Sequence, residues 1–178
     1  MNLQKINDLD HDLSKKISFA EQPGLVRSIA VFLGHTGDSW FWAVALLLVW
    51  AFAPEAYASW AWVTLLAVVV TAALVLGIKF TIRRQRPAGE LGQIYRKTDP
   101  HSFPSGHATR AILLGVIALG LAPAWLGILL IIWGPLVGIA RIAMGVHYLS
   151  DVLAGWVLGA IIGLLVLQFS DLIPVFLL

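Results

Sequence analysis

The run AYASWAWVTLLAVVVTAALVLGI, Ala56 to Ile78, is 23 residues long without one charged side chain. As a helix it is ample to cross about 30 Å of hydrocarbon. Tyr57, Trp60 and Trp62 open it with the aromatic pattern of a membrane–water interface. Composition places the whole chain in the same solvent: of 178 residues 59% are hydrophobic and 12% charged, with a mean hydropathy of +0.85. Cysteine is absent, which excludes disulfide frameworks, thiolate catalysis and cysteine-held metals.

Upstream of this span, the uncharged run Ser39 to Pro54 begins with Trp40 and Trp42 and reads as a first crossing, closed by Pro54-Glu55. Gly34 to Asp38 turns the chain into it. Leu25 to Leu33 carries Arg27 and is about half the length needed to cross, so it predicts a dipping or interfacial piece after the break at Gln22-Pro23-Gly24. Leu3, Ile6, Leu9, Leu13 and Ile17 recur at nearly helical spacing among Asp8, His11, Asp12 and Lys15. Residues 2–20 therefore predict an amphipathic helix lying on the bilayer surface. Met1 to Lys16 is polar and mixed in charge, unlike a cleavable signal peptide.

Downstream, Lys79 to His101 is a basic loop with Lys79, Arg83, Arg84, Arg86, Arg96 and Lys97, too polar for hydrocarbon. Pro123 divides the next apolar stretch into helices of about Ser105 to Leu121 and Ala124 to Ala143. Val152 to Ser170 is a fifth uncharged run, between Asp151 and Asp171. The expectation is an all-α membrane bundle in one domain, residues 1–178: an interfacial segment over 1–38 and a five-span core over 39–170. Five crossings bring Lys79, Arg86, Ser105, His107, Arg141, His147 and Asp151 to one face at one depth.

Their chemistry is complementary. His147 and Asp151, four apart on a helix, share a face, so the carboxylate can hold one ring nitrogen and leave the other as a nucleophile or base. Lys79, Arg86 and Arg141 supply cations, and Ser105-Gly106 opens a helix whose free N–H groups favour an anion. A transferring phosphoryl group uses all of these. His107 is placed to give a proton to the departing oxygen and later to take one from water.

Lys79-x6-Arg86-Pro87, Pro104-Ser105-Gly106-His107 and Arg141-x5-His147-x3-Asp151 resemble the three signature motifs of the type 2 phosphatidic acid phosphatase family. The resemblance implies a lipid phosphate phosphatase without metal or other cofactor. His147 would form a phosphohistidine, Asp151 orient it and His107 act as acid. Lys79, Arg86, Ser105, Gly106 and Arg141 would bind phosphate. The family usually has serine before the third-motif arginine where this chain has Ala140, so that one phosphate hydrogen bond is either lost or replaced by Ser150 or Thr109. The family also more often has six spans.

Outside the motifs, Arg83, Arg84, Arg96 and Lys97 read as anchors for lipid headgroups, and His11, His35 and His101 as surface or structural residues. Arg110 reads equally as support for the site or as a side chain reaching back to the interface. The tryptophans read as interface anchors. Gly155, Gly159 and Gly163 extend the His147–Asp151 face as a groove. They are expected to pack on the Ala124–Ala143 helix through Gly134 and Gly138, with a homodimer interface as the alternative.

Expected substrates are phosphatidate, phosphatidylglycerol phosphate, lipid A phosphate, and polyprenyl phosphates or diphosphates. Membrane lipids are the expected surroundings and no nucleic acid is expected. Lipid-to-lipid phosphotransfer and non-enzymatic lipid transport are the alternatives. The basic residues gather on the site's face, which the positive-inside rule puts in the cytoplasm, in a multi-pass plasma (inner) membrane protein.

Overall fold

The structure, a computed structural model, describes residues 3–170, and these form eight helices: α1 (Leu3–Ile17), α2 (Leu25–His35), α3 (Ser39–Phe52), α4 (Glu55–Ile82), α5 (Glu90–Arg96), α6 (Gly106–Leu121), α7 (Ala124–Ala143) and α8 (Leu149–Phe169). Gln85 and His101 make an isolated antiparallel bridge in the loop that carries α5. The tail from Asp171, expected on the face opposite the site, lies outside the described residues.

Three helices, α4, α7 and α8, are each long and apolar enough to cross a membrane. α3, expected to cross by itself, is only 14 residues. It is long and apolar enough to cross only together with α2, across a bend of 50° at residues 36–38. α6 is apolar but shorter, at 16 residues. α4 has 28 residues and is about 42 Å long, against about 30 Å of hydrocarbon. Its last turn carries Lys79. Arg83 ends α4 in the left-handed conformation, φ 55°, with its N–H on the Lys79 carbonyl.

Lipid tails are as apolar as leucine, so helices in a bilayer associate through close packing rather than through the hydrophobic effect. The glycine ladder of α8 supplies it, against a partner other than the one expected. A Cβ on Gly155 would lie 2.8 Å from the Ser105 carbonyl oxygen, and one on Gly159 only 2.2 Å from that of Thr109. α8 therefore packs backbone to backbone on α6. α7 meets α8 through Gly138, where a Cβ would meet Trp156 and Val152, whereas Gly134 faces α6. The ladder's groove is thus filled within the chain.

α1 lies across the start of α8. It buries Asp10 and Ser14 and exposes Ile6, Leu9 and Leu13, an inversion of soluble-protein packing. Ser14 Oγ accepts the Leu149 N–H at 2.8 Å and Asp10 Oδ1 accepts that of Ser150 at 3.0 Å, so α1 caps α8. Of the tryptophans, Trp42 and Trp133 pack with ring centroids 5.3 Å apart, tilted by 53°, and both donate to Thr36, bracing the α2–α3 bend from inside. Trp60 is buried, and Trp40 and Trp125 keep the exposure of interface anchors.

Gly159→Ala drives a methyl into a main-chain carbonyl, whereas a Cβ on Gly77 of α4 meets nothing within 4 Å. The expected costs have opposite signs: about 1–3 kcal/mol lost for Gly159→Ala and about 0.5–1 kcal/mol gained for Gly77→Ala. Thermal unfolding in detergent checks this, with a lower midpoint for the first variant and a higher one for the second.

Candidate active site

The end of α4, the starts of α6 and α8 and the end of α7 converge, and they carry the motif residues with them. Lys79, Arg86, Ser105, Arg141, His147 and Asp151 are all buried; His107 and Gly106 are partly open. Ser105 N–H donates to the Asp151 carbonyl at 2.9 Å, which ties the two helix starts together. Ser105 Oγ caps α6 by accepting from Ala108 N–H at 3.5 Å.

His147 sits in the turn between α7 and α8, with Nδ1 3.4 Å from Asp151 Oδ2. Its Nε2 lies 3.1 Å from Arg86 Nη1. Arginine can only donate, so Nε2 is the lone-pair nitrogen and Nδ1 carries the hydrogen, which lies beside Asp151 without a hydrogen bond among the described residues. Burial, reinforced by Arg86, Arg141 and Lys79, pushes the imidazole well below its usual 6.5 and keeps it neutral. Gly145 makes this turn possible. It follows α7 at φ +66°, and a Cβ there would stand 2.1 Å from Glu21 Oε1.

The cations differ in how far they are satisfied. Arg86 donates to the Asp99 carboxylate at 2.7 Å, the Asp99 carbonyl at 2.7 Å and the Val146 carbonyl at 2.9 Å. Lys79 also pairs with Asp99. Arg141, fully buried, gives Nη1 to the Tyr95 hydroxyl at 3.1 Å and stacks on that ring at 4.5 Å. Its Nε and Nη2 have no partner among the described residues. A buried guanidinium with two unmatched donors is costly unless an anion completes it.

Several residues at the site were not expected there. Arg84, expected at the headgroups, instead bridges Asp151 Oδ1 at 2.7 Å, Asp10 Oδ2 at 2.6 Å and Ser150 Oγ at 2.6 Å. Arg96, also expected at the headgroups, donates to the Arg86 and Pro87 carbonyls. Arg83 and Lys97 are exposed. His107 Nε2 lies 2.7 Å from Asp38 Oδ1, and the other oxygen of Asp38 lies 3.1 Å from His35 Nδ1. Asp38 stands at the α2–α3 bend, 69 residues from His107 in sequence, so no local spacing reveals the pair. His35, expected to be surface or structural, reaches the site through Asp38 and Tyr95. Neither replacement for the missing serine at Ala140 is free: Thr109 Oγ1 donates to the Ser105 carbonyl at 2.9 Å and Ser150 Oγ to Asp10 at 2.6 Å.

Two outcomes are expected. Arg84→Ala strips Asp151 of its cation and lowers kcat at least about tenfold, or about 1.4 kcal/mol, with a smaller change in KM, as steady-state kinetics in detergent would show. The acid limb of kcat/KM falls below pH 6.5, because His147 stays neutral until the pH drops beneath its lowered pKa; a limb at or above 6.5 contradicts this.

Comparison with known proteins agrees with this architecture. The PAP2 superfamily profile matches residues 60–173. An undecaprenyl-diphosphatase of Sulfolobus acidocaldarius is 32% identical over 171 residues, covering 92% of this chain and 80% of that protein. A decaprenylphosphoryl-5-phosphoribose phosphatase of Mycobacterium tuberculosis is 36% identical over 155 residues, covering 84% and 82%. The crystal structure of a PAP2-type phosphatidylglycerolphosphate phosphatase of Bacillus subtilis superposes with a TM-score of 0.77 at 25% identity, over 97% of this chain and 90% of that one. With matching sequence, matching fold and a histidine–carboxylate pair set among buried cations, the chain belongs to the PAP2 superfamily.

Proposed function

We propose that this membrane phosphatase removes the terminal phosphate of a lipid phosphate or diphosphate through a phosphohistidine on His147. The observation that carries the reading is the fully buried Arg141, with Nε and Nη2 unmatched beside a neutral His147. A tetrahedral oxyanion held by Arg141, Lys79, Arg86 and the Ser105–Gly106 helix start satisfies those donors. It also draws Arg86 off Nε2, which frees the lone pair.

In the first step Nε2 attacks phosphorus while the bond to the lipid oxygen breaks. His107 gives its proton to that oxygen, and Asp151, held by Arg84, stabilises the charge that develops on the His147 ring. In the second step water attacks the phosphohistidine, His107 takes the water proton, and the P–N bond breaks to release inorganic phosphate. Asp38 positions His107 throughout. The relatives from Sulfolobus and Mycobacterium are named for polyprenyl lipids, which favours a polyprenyl substrate here.

Five crossings fit this reading when α2 and α3 form one bent span and α6 a short one. The N-terminus then shares the site's face, with α1 interfacial and its Ile6, Leu9 and Leu13 turned to lipid. The positive-inside rule favours a cytoplasmic site in the plasma membrane.

His147→Ala is expected to lower phosphate release from a panel of lipid phosphates below about one hundredth of wild type, and excess EDTA to leave wild-type release unchanged, since Lys79, Arg86 and Arg141 supply the charge. A rate above one tenth in the variant, or EDTA inhibition reversed by Mg²⁺, contradicts the mechanism. For orientation, cysteine at exposed Glu55 labels with an impermeant thiol reagent in intact cells and cysteine at exposed Thr98 does not; the reverse pattern places the site outside.

A further inference from the structure

Arg110 is a charge that the mechanism above does not use. It lies one helical turn past His107 on α6, is only 7% exposed, and so does not reach back to the interface. Its Nε donates to the Gly37 carbonyl at 2.8 Å, and Nη2 to the same oxygen. No carboxylate lies within ion-pair distance of it among the described residues. Asp38, the acid that faces it, is bound to His107 and His35. Arg110 Nη1 donates to no described group. A largely buried arginine without an ion pair that lines a cavity is placed to receive an anion from it.

The space it faces has the matching shape. A cavity of about 190 Å³ runs between α3, α4 and α6, with Lys79 and Asp99 among its walls beside His107 and Arg110. Val75, Leu76 and Val68 of α4 give it an apolar side. Thr71 also lines it, eight residues before Lys79 and so about 12 Å along α4 on the same face. The Thr71 hydroxyl is buried with no partner. Thr64 and Thr81 on the same helix instead donate to the carbonyl four residues back, at 2.7 and 2.8 Å. The cavity therefore offers Arg110 and Thr71 as donors alongside Lys79 and His107, and Arg86, Arg141 and His147 do not line it; a simple lipid alcohol would present only hydrocarbon to those added donors.

We propose that Arg110, assisted by Thr71, binds the phosphate that remains on the lipid, so that the site is built for lipid diphosphates. This rests on the phosphohistidine reading. The terminal phosphorus sits at Lys79, Arg86 and Arg141 for attack by His147 Nε2. The bond from that phosphorus to the bridging oxygen breaks, and the His107 proton goes to the bridging oxygen. The product is a lipid monophosphate whose charge is held by Arg110. Water then cleaves the phosphohistidine as before. The substrate must come from a reaction that leaves a diphosphate on a lipid alcohol, such as prenyl chain elongation or the release of a lipid diphosphate carrier from its cargo.

The test compares kcat/KM for a prenyl diphosphate and the prenyl monophosphate of the same chain length, in detergent, with wild type, Arg110→Gln and Thr71→Val. Wild type prefers the diphosphate. Arg110→Gln lowers the diphosphate-to-monophosphate ratio at least about tenfold, as expected for loss of a charge-assisted contact made by only one substrate. Thr71→Val, nearly isosteric, lowers it about threefold and carries the test if Arg110→Gln does not fold. A wild type with no preference for the diphosphate, or variants that lose both activities in proportion, overturns the subsite while leaving the phosphatase reading intact. A wild type that hydrolyses neither substrate overturns the phosphatase reading and the subsite with it.

Discussion

The backbone contact between α6 and α8 is the constraint on which the rest depends. At Gly155 and Gly159 the two helices approach until main-chain carbonyls occupy the place of side chains, and the Ser105 N–H donates across to the Asp151 carbonyl. Two helix starts are thereby fixed side by side. The first N–H groups of α8 are taken by Asp151, Ser14 and Asp10, so it is the start of α6, at Gly106 and His107, that turns the positive end of its dipole to an anion before any charged side chain is counted. A larger residue at Gly159 separates the helices and moves His107 away from His147, with no change in the chemistry of either.

Charge is managed by sharing. Lys79, Arg86, Arg110 and Arg141 are buried around this point, with Arg84 and Arg96 partly so, a concentration that an apolar surrounding penalises. Two carboxylates from outside the motifs offset part of it: Asp99 takes Lys79 and Arg86, and Asp10 takes Arg84. Arg84 in turn gives Asp151 its cation, so an ion chain of Asp10, Arg84 and Asp151 runs from α1 to the carboxylate beside the neutral His147. α1 thus exposes apolar residues on one side while its buried face caps α8 and holds the cation of Asp151.

The motif residues were legible in the sequence because each lies at an end of an apolar run, and run lengths alone bring those ends to one face. The division at Pro123 was legible for the same reason, since proline stops a helix wherever it stands. Partnerships between distant segments were not. Asp38 with His107, and Asp10 with Arg84, join residues about seventy positions apart, where neither periodicity nor spacing carries information. The glycine ladder of α8 was visible as a groove, but its occupant was misread. Gly134 and Gly138 of α7 stand at a similar spacing, whereas α6 meets the ladder with ordinary residues whose backbone approaches only because α8 lacks side chains. Arg84 looked like one more basic residue in a basic loop, and only its position over Asp151 shows otherwise.

The central claim is that a covalent phosphoryl group rests on His147. Rapid acid-free quenching of wild type turning over a labelled lipid phosphate, followed by peptide mapping, tests it directly. The account predicts an acid-labile, base-stable phosphoryl group on the peptide that contains His147, absent from His147→Ala and accumulating in a His107 variant whose second step is slowed. A turnover-competent enzyme that yields no such adduct in either the wild type or the His107 variant, or one that carries it on another residue, contradicts the account.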